Sequence, residues 1–425
     1  MEIIADSARI LCDPWFVPGA FDGSWWQWPP LKTQPEELTE YTHLYISHIH
    51  QDHCDPYTLR RLPNKDVPVI ILKRPEQFLK RCIQSCGFHN FIELEDRHTC
   101  PLGLWSTTIT MYGAFTPNAF IENAEVPNII DTSIVVSNRT STVFNANDNV
   151  PTAKACQEIV ERHGPIDVAL LPYSGVGPYP SSYENLSYEQ KLKAAKEKKH
   201  KYLQRLRQNA LVLQPKIVVP CAGQMILGGR QMHKNKVIGI PSPQTAYQTL
   251  KQAGFSAALL NEGDTLDTET LAVQRSKFSH RVTKTALRSM QRARYWWEDA
   301  FGVPKEEMIE LLPLLQTARN RLWQHQERYN YKSDWWVGIR VEEVPAWTYA
   351  FSLSDNSKVF KEKTEGFLQS EKKLLRATVP YGYLTAILTR HCHWNNAYHG
   401  CHIEWYRKPD DYHPEIQTLL SFFHL

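Results

Sequence analysis

Between residues 42 and 270, short apolar and β-branched runs alternate with stretches of helical composition, which predicts an α/β unit in which strands feed helices. Thr42 to Ile46 (THLYI) is the clearest strand. Asp55-Pro56 behind it supplies an N-cap and a first-turn proline for a helix running through Arg61. Val67 to Leu72 (VPVIIL) predicts a second strand, followed by a helix from about Pro75 to Cys86 that Gly87 closes. Thr107 to Met111, Ser133 to Val136 and Ser141 to Phe144 read as further strands, the last two joined by the SNRT turn. Asp167 to Leu171 and Lys216 to Val219 are two more, separated by a long helix from about Ser187 to Leu211.

Near residue 280 the pattern changes to helical segments rich in Arg, Trp and Glu, such as RYWWEDAFGV, and then to a strand-rich end. A domain boundary is expected there, giving residues 1–280 as an α/β domain and 281–425 as a smaller α+β domain. Residues 383–406 (YLTAILTRHCHWNNAYHGCHIEWY) alternate apolar and polar on both sides of Asn395-Asn396, which predicts a β-hairpin.

At 425 residues a sizeable core is available. A hydrophobic share of 42% with 22% charged residues is ordinary for a globular protein, and a formal charge of +3 gives no reason to expect a nucleic-acid partner. No apolar run approaches the roughly 20 residues of a membrane span, and the N-terminus lacks a secretory leader. Nine cysteines without a repeated C-x-x-C read as reduced thiols, which fits a cytoplasmic setting.

The chemistry concentrates in SHIHQDHCDP, residues 47–56, at the turn from the first strand into its helix. In extended chain His48 and His50 lie two apart and project to one side, so both rings can share one cation. Asp52 and His53 follow where the chain turns, and offer an oxygen and a nitrogen to a second cation. Asp148, in VFNANDNV, comes just after a strand and can bridge the pair. Mixed imidazole and carboxylate donors suit zinc, iron or manganese.

SHIHQDH at a strand end resembles the signature of the metallo-β-lactamase superfamily, which implies an αββα sandwich with a dinuclear metal site on one edge. DPWFVPGAFDGSWWQWPP, FNANDN, PYSGVGPYP, KYLQRLRQNALVLQPKIVVPCAG and NEGDTLD together resemble the catalytic part of the CMP-N-acetylneuraminate hydroxylases. GYLTAILTRHCHWNNAYHGCHIEW is similar to that family's C-terminal region. The resemblance implies a non-heme iron oxygenase on a hydrolase fold, with one or two irons held by His48, His50, Asp52, His53 and Asp148. The family also carries an N-terminal Rieske domain, whose cluster needs C-x-H, and no C-x-H occurs in this sequence. Electrons are therefore expected from an external donor, a ferredoxin or reductase.

The superfamily usually completes its first metal with a histidine after the motif, yet no histidine lies between His98 and His163. Thr116, Asn118, Glu122, Glu125 and Asp131 are the alternatives there, and a carboxylate would favour iron or manganese over zinc. For the last superfamily histidine, VVPCAGQMILGGRQMH offers Cys221 on the strand end and His233 in the loop after it; His233 is the expected ligand.

Lys191 to Arg207 carries eight Lys or Arg, read as a solvated helix face or as a basic wall for an anionic substrate such as a nucleotide sugar. Ser174 in YSGVGPYPSSY is a candidate for a pocket rim. The histidines and cysteines at 391–402 are expected in packing and surface roles, because alternation sends His391 and His393 away from Cys392. Trp25, Trp26 and Trp28 read as an apolar staple.

The functional expectation is an oxygenase that binds dioxygen and oxidises a small organic substrate, a nucleotide sugar or a biosynthetic intermediate. The alternatives are a dinuclear zinc or manganese hydrolase in which Asp52 orients the attacking water, and a non-catalytic member of the fold.

Overall fold

The computed structural model describes the chain except for residues 104–105, 116–129, 176, 279–281 and 371. Two sheets face each other in its first part. One is five-stranded, in the order Glu2–Ala5, Ala8–Cys12, His43–Tyr45, Val69–Leu72, Phe91–Leu94, parallel throughout except for the first pair. The other is six-stranded, in the order Ile217–Cys221, Val168–Pro172, Thr142–Asn145, Thr132–Ser137, Thr107–Gly113, Thr99–Leu102, with the first three strands parallel and the rest antiparallel.

Strand alternation explains the layers. Val69 and Ile71 point outward and pack with Leu44, Leu59, Ile83 and Phe88 under the helices Pro56–Arg61 and Phe78–Gln84. Their neighbours Ile70 and Leu72 point inward and meet Ile109, Met111, Ile134, Leu170 and Val219 of the facing sheet. The second sheet repeats the device: Phe144, Ala169, Leu171 and Val218 face outward against Ile159, Leu206, Ala210 and Leu250 of the helices Ala153–His163, Tyr188–Leu213 and Pro243–Gln252. The result is the expected αββα sandwich.

The predicted strands and long helix lie within a few residues of their expected limits. Ser187 caps the long helix in a reciprocal capping box with Gln190. The helix expected from Pro75 is shorter, Phe78–Gln84.

A distinct C-terminal α+β region follows, built on a five-stranded sheet in the order Phe360–Lys363, Trp347–Ser352, Trp335–Val341, Lys373–Val379, Glu404–Lys408. Helix Leu312–Arg328 and the last helix, Pro414–Leu420, close its core through Leu315, Leu322, Ile416 and Leu419. The hairpin expected over 383–406 is not there. Tyr381–Leu388 and Trp394–His399 are helices, and only Glu404–Lys408 is a strand. Tyr381, Gly382, Tyr383, Leu384, Ala386, Ile387 and Leu388 are all buried. A helix apolar on nearly every side carries no 3.6-residue signature, so its sequence cannot be told from a strand by period. Asn395 and Asn396 occupy the first turn of a helix capped by the side chain of His393, not a hairpin turn.

Asp55 is buried and accepts from the backbone nitrogens of Tyr57 (3.2 Å) and Thr58 (3.0 Å) and from the Thr58 hydroxyl (2.6 Å). Its replacement by alanine is expected to cost about 1–2 kcal/mol, seen as a lower urea midpoint with an unchanged slope; an unaltered midpoint contradicts the capping role.

Candidate metal centre

The motif residues gather at the edge of the sandwich where both sheets end. After strand Ala8–Cys12 the chain turns at Asp13 (φ 43°), whose amide donates to Tyr45 O (2.9 Å). The turn aims the Asp13 carboxylate at the neighbouring strand end, where Oδ1 accepts from the Ser47 amide (2.7 Å) and Oδ2 from the Ser47 hydroxyl (2.8 Å). Oδ2 also lies 3.0 Å from His53 Nδ1. One carboxylate thus fixes both the start of the motif and the ring at its end. The amides of His53 (3.0 Å) and Cys54 (2.7 Å) close onto His50 O, and Asp55 then starts the helix.

Asp148 is delivered by three asparagines with different tasks. Asn145 Oδ1 accepts from the Asn147 amide (3.2 Å), and Asn147 itself takes a left-handed conformation (φ 50°) that asparagine tolerates. Asn147 Nδ2 donates to the Tyr45 hydroxyl (3.1 Å), which ties the loop to the strand before the motif. Asn149 reaches across to strand Thr107–Gly113 and its exit, donating to Gly113 O (2.9 Å) and accepting from the Phe115 amide (3.0 Å).

Two clusters result that could hold one or two metal ions: His48, His50 and Asp148, and Asp52, His53 and Asp148, each with its ligand atoms within 4.8 Å of one another. Asp148 belongs to both. His48 Nε2 is 2.8 Å from His50 Nδ1, and His53 Nε2 is 3.4 Å from both Asp52 Oδ2 and Asp148 Oδ2. Burial and the neighbouring rings push His48 and His50 well below the usual histidine range, so both are neutral and present lone pairs. Burial opposes a charge on His53, yet Asp52, Asp148 and Asp13 outweigh it and hold its proton well above the usual range. Among the described residues, Asp52 Oδ1 is buried without a hydrogen-bond partner. Converging carboxylates, neutral imidazoles and an orphaned buried oxygen fit a divalent cation, which would supply the charge and the coordination that these groups lack.

Of the residues offered for the missing histidine, Thr116, Asn118, Glu122 and Glu125 lie outside the described residues. Asp131 precedes strand Thr132–Ser137 and brings Oδ1 to 3.9 Å from His48 Nε2. His233 stands apart: it is exposed, donates from Nδ1 to Arg230 O (2.9 Å), and belongs to neither cluster. Sequence reasoning missed Asp13, whose signal was only an aspartate after a strand. It also missed Asn395, which brings Nδ2 to 2.8 Å from His50 Nε2, and His399, whose ring centroid is 4.6 Å from that of His50. Both were read as part of a hairpin.

The surroundings also revise the basic helix. Lys198 turns inward and donates to Tyr179 O (2.8 Å) and Ile238 O (3.1 Å), and burial pulls its ammonium down to about 8. Lys191 donates to Ser181 O (3.1 Å). These two half-buried lysines donate to the loop of the YSGVGPYPSSY stretch. Gly175 is required there, since a side chain would meet the Tyr202 hydroxyl at 2.0 Å. Ser174 is buried, with its hydroxyl 3.5 Å from Gly223 O. A shallow cleft opens beside His48, lined by Arg74, Gln77, Phe78, Leu79 and Thr132.

Residues 8–212 match the beta-lactamase superfamily domain. A Mycolicibacterium smegmatis protein named for a Rieske 2Fe-2S iron–sulfur centre is 36% identical over 220 residues, 51% of this chain and 40% of that protein. The cytidine monophosphate-N-acetylneuraminic acid hydroxylase of Danio rerio is 27% identical over 238 residues, 52% of this chain and 36% of the hydroxylase. The chain therefore spans less than half the length of these curated relatives. Among solved structures, CmlA, a diiron beta-hydroxylase from Streptomyces venezuelae, aligns with a TM-score of 0.39 at 16% identity, over 60% of this chain and 49% of that one. No helix among the described residues is long and apolar enough to cross a membrane.

Because a cation must displace the proton that Asp52, Asp148 and Asp13 hold on His53 well above the usual histidine range, its affinity is expected to rise with pH through and beyond that range, with proton release on binding. Calorimetric titration in buffers of different ionisation enthalpy checks this, and a pH-independent affinity contradicts it. Asp13→Ala removes the carboxylate that holds His53 Nδ1 and the Ser47 amide and hydroxyl together and should weaken cation binding about 10–100-fold, measured by competition with a chelating dye.

Proposed function

We propose that the chain, whose residues 8–212 match the beta-lactamase superfamily domain, is a metal-dependent oxygenase using one or two iron ions to hydroxylate or otherwise oxidise a small organic substrate. The observation that carries this reading is the oxygen-rich donor set. Three imidazoles, His48, His50 and His53, converge with three carboxylates, Asp52, Asp131 and Asp148. Carboxylate and imidazole in equal number suit iron or manganese better than zinc. The names of the relatives support the same direction, since one is a hydroxylase and another is named for a Rieske centre.

In this proposal His48, His50 and Asp148, with Asp131 beside His48, hold one ion, and Asp52, His53 and Asp148 hold the other. Iron bound there would supply dioxygen binding and activation. The protein's own groups do the rest. Asp13 keeps His53 Nδ1 protonated, so that Nε2 is the nitrogen turned to the cluster. Asp52 Oδ1, buried and without a hydrogen-bond partner among the described residues, is placed to accept a proton or to orient water at the site. The cleft beside His48 is the proposed approach for substrate, and a nucleotide sugar or biosynthetic intermediate is the proposed class. A ferredoxin or reductase is the proposed source of electrons, and the Rieske name of one relative supports an iron–sulfur donor.

A second reading, hydrolysis by two zinc or manganese ions, is favoured by the same Asp52 oxygen, which could hold the attacking water.

Metal analysis separates the two. The oxygenase reading expects near-stoichiometric iron and a visible absorption change when the reduced protein meets oxygen. Colourless zinc protein that cleaves a generic phosphodiester would establish the hydrolase instead. His48→Ala with His50→Ala should remove at least half of the bound iron, measured by elemental analysis; retention of the full content contradicts the ligand set.

A further inference from the structure

His50 is held from outside the sandwich. Its ring lies between that of His48, 4.5 Å away between centroids, and that of His399, 4.6 Å away, with Phe21 at 6.1 Å on its edge. Asn395, in the first turn of helix Trp394–His399, brings its amide to His50 Nε2 at 2.8 Å. The amide is well anchored. His393 Nδ1 accepts from the Asn395 backbone nitrogen (3.2 Å), and Trp25 Nε1 donates to His399 O (2.9 Å), fixing both ends of the short helix.

The hydrogen-bond roles carry a consequence. With Asn395 Nδ2 donating to Nε2, the single proton of neutral His50 sits on Nδ1 and is donated to His48 Nε2 (2.8 Å). Those two nitrogens are the pair that a shared cation takes. Cation binding requires both to be bare, so the His50 proton must sit on Nε2, and that N–H then needs an acceptor. A primary amide satisfies both states, because turning it by half a rotation presents Oδ1 where Nδ2 stood. An apolar side chain satisfies neither.

We propose that Asn395 is a positioning residue for His50: it orients the ring and accepts from Nε2–H when a cation occupies the His48–His50 site, so the C-terminal region helps to set metal affinity in the sandwich. The proposal rests on the metal reading given above. It also explains why a helix from the C-terminal region reaches the sandwich edge at this point.

Manganese(II) binding to the full chain, followed as the free-ion electron paramagnetic resonance signal, tests it. Asn395→Ala is expected to weaken binding about 10–100-fold. Asn395→Leu, of closer volume, should do the same. Asn395→Asp keeps the acceptor that the bound state needs and should stay within about threefold of wild type. A purely structural role predicts instead that the three variants follow their thermal stabilities. Alanine and leucine variants that bind as tightly as wild type, or an aspartate variant as weak as they are, overturn the assignment while leaving the metal site intact. Wild-type chain that takes up no manganese and no iron overturns the metal reading and this assignment with it.

Discussion

The Asp13 carboxylate is the constraint on which the site depends. It receives three donors: the amide and hydroxyl of Ser47, and Nδ1 of His53. The first two fix where the motif leaves its strand; the third fixes how the ring at the motif's far end is turned. Holding a carboxylate whose side chain is only 9% exposed ordinarily costs free energy. Here the ordering of a whole ligand loop offsets that cost, and the left-handed turn at Asp13 is the local strain that permits it. Charge then accumulates, since Asp52 and Asp148 face the same ring, and together with Asp13 they hold the His53 proton well above the usual histidine range against the cost of burial.

The two parts of the chain are joined at this edge. Asp22 is buried between them, accepting from the Tyr383 hydroxyl (2.6 Å) and Trp296 Nε1 (3.0 Å), while its own amide donates to Gln51 Oε1 (3.2 Å) in the motif. Burial raises the Asp22 carboxyl, and the hydrogen bonds from Tyr383 and Trp296 counter that rise. Gln51 lies between His50 and Asp52, so the N-terminal segment, the ligand loop and the C-terminal helices share one network. Lys234, buried beneath, adds bonds to the Ser182 hydroxyl (2.8 Å) and Cys401 O (2.7 Å). Rearranging the C-terminal region would therefore disturb the ligand loop directly.

What could be read from sequence follows from where the information is local. Strand Val69–Leu72 and the caps at Asp55 and Ser187 depend on neighbours in the chain, and their residues announce them. The cluster of His48, His50, Asp52 and His53 is also local, and Asp148 needed only a strand end to suggest its place. Asp13 and Asn395 act on rings 40 and 345 positions away, and nothing in their own surroundings marks them. The helix at Tyr381–Leu388 was hidden for a different reason: burial on every face erases the period that distinguishes helix from strand. His233 misled because a histidine after the last sheet strand fits the superfamily pattern, whereas the chain spends that stretch on a 3-10 turn that leaves the ring exposed.

The central claim is that the turn organised by Asp13 grips cations through a shared Asp148. Anomalous diffraction from crystals of the iron-loaded protein tests it most directly. Two peaks about 3.5–4 Å apart, one beside His48 and His50, one beside Asp52 and His53, with Asp148 between them, are the predicted result. Iron bound elsewhere on the chain, or a peak at this edge that Asp148 and the histidines do not touch, would contradict it.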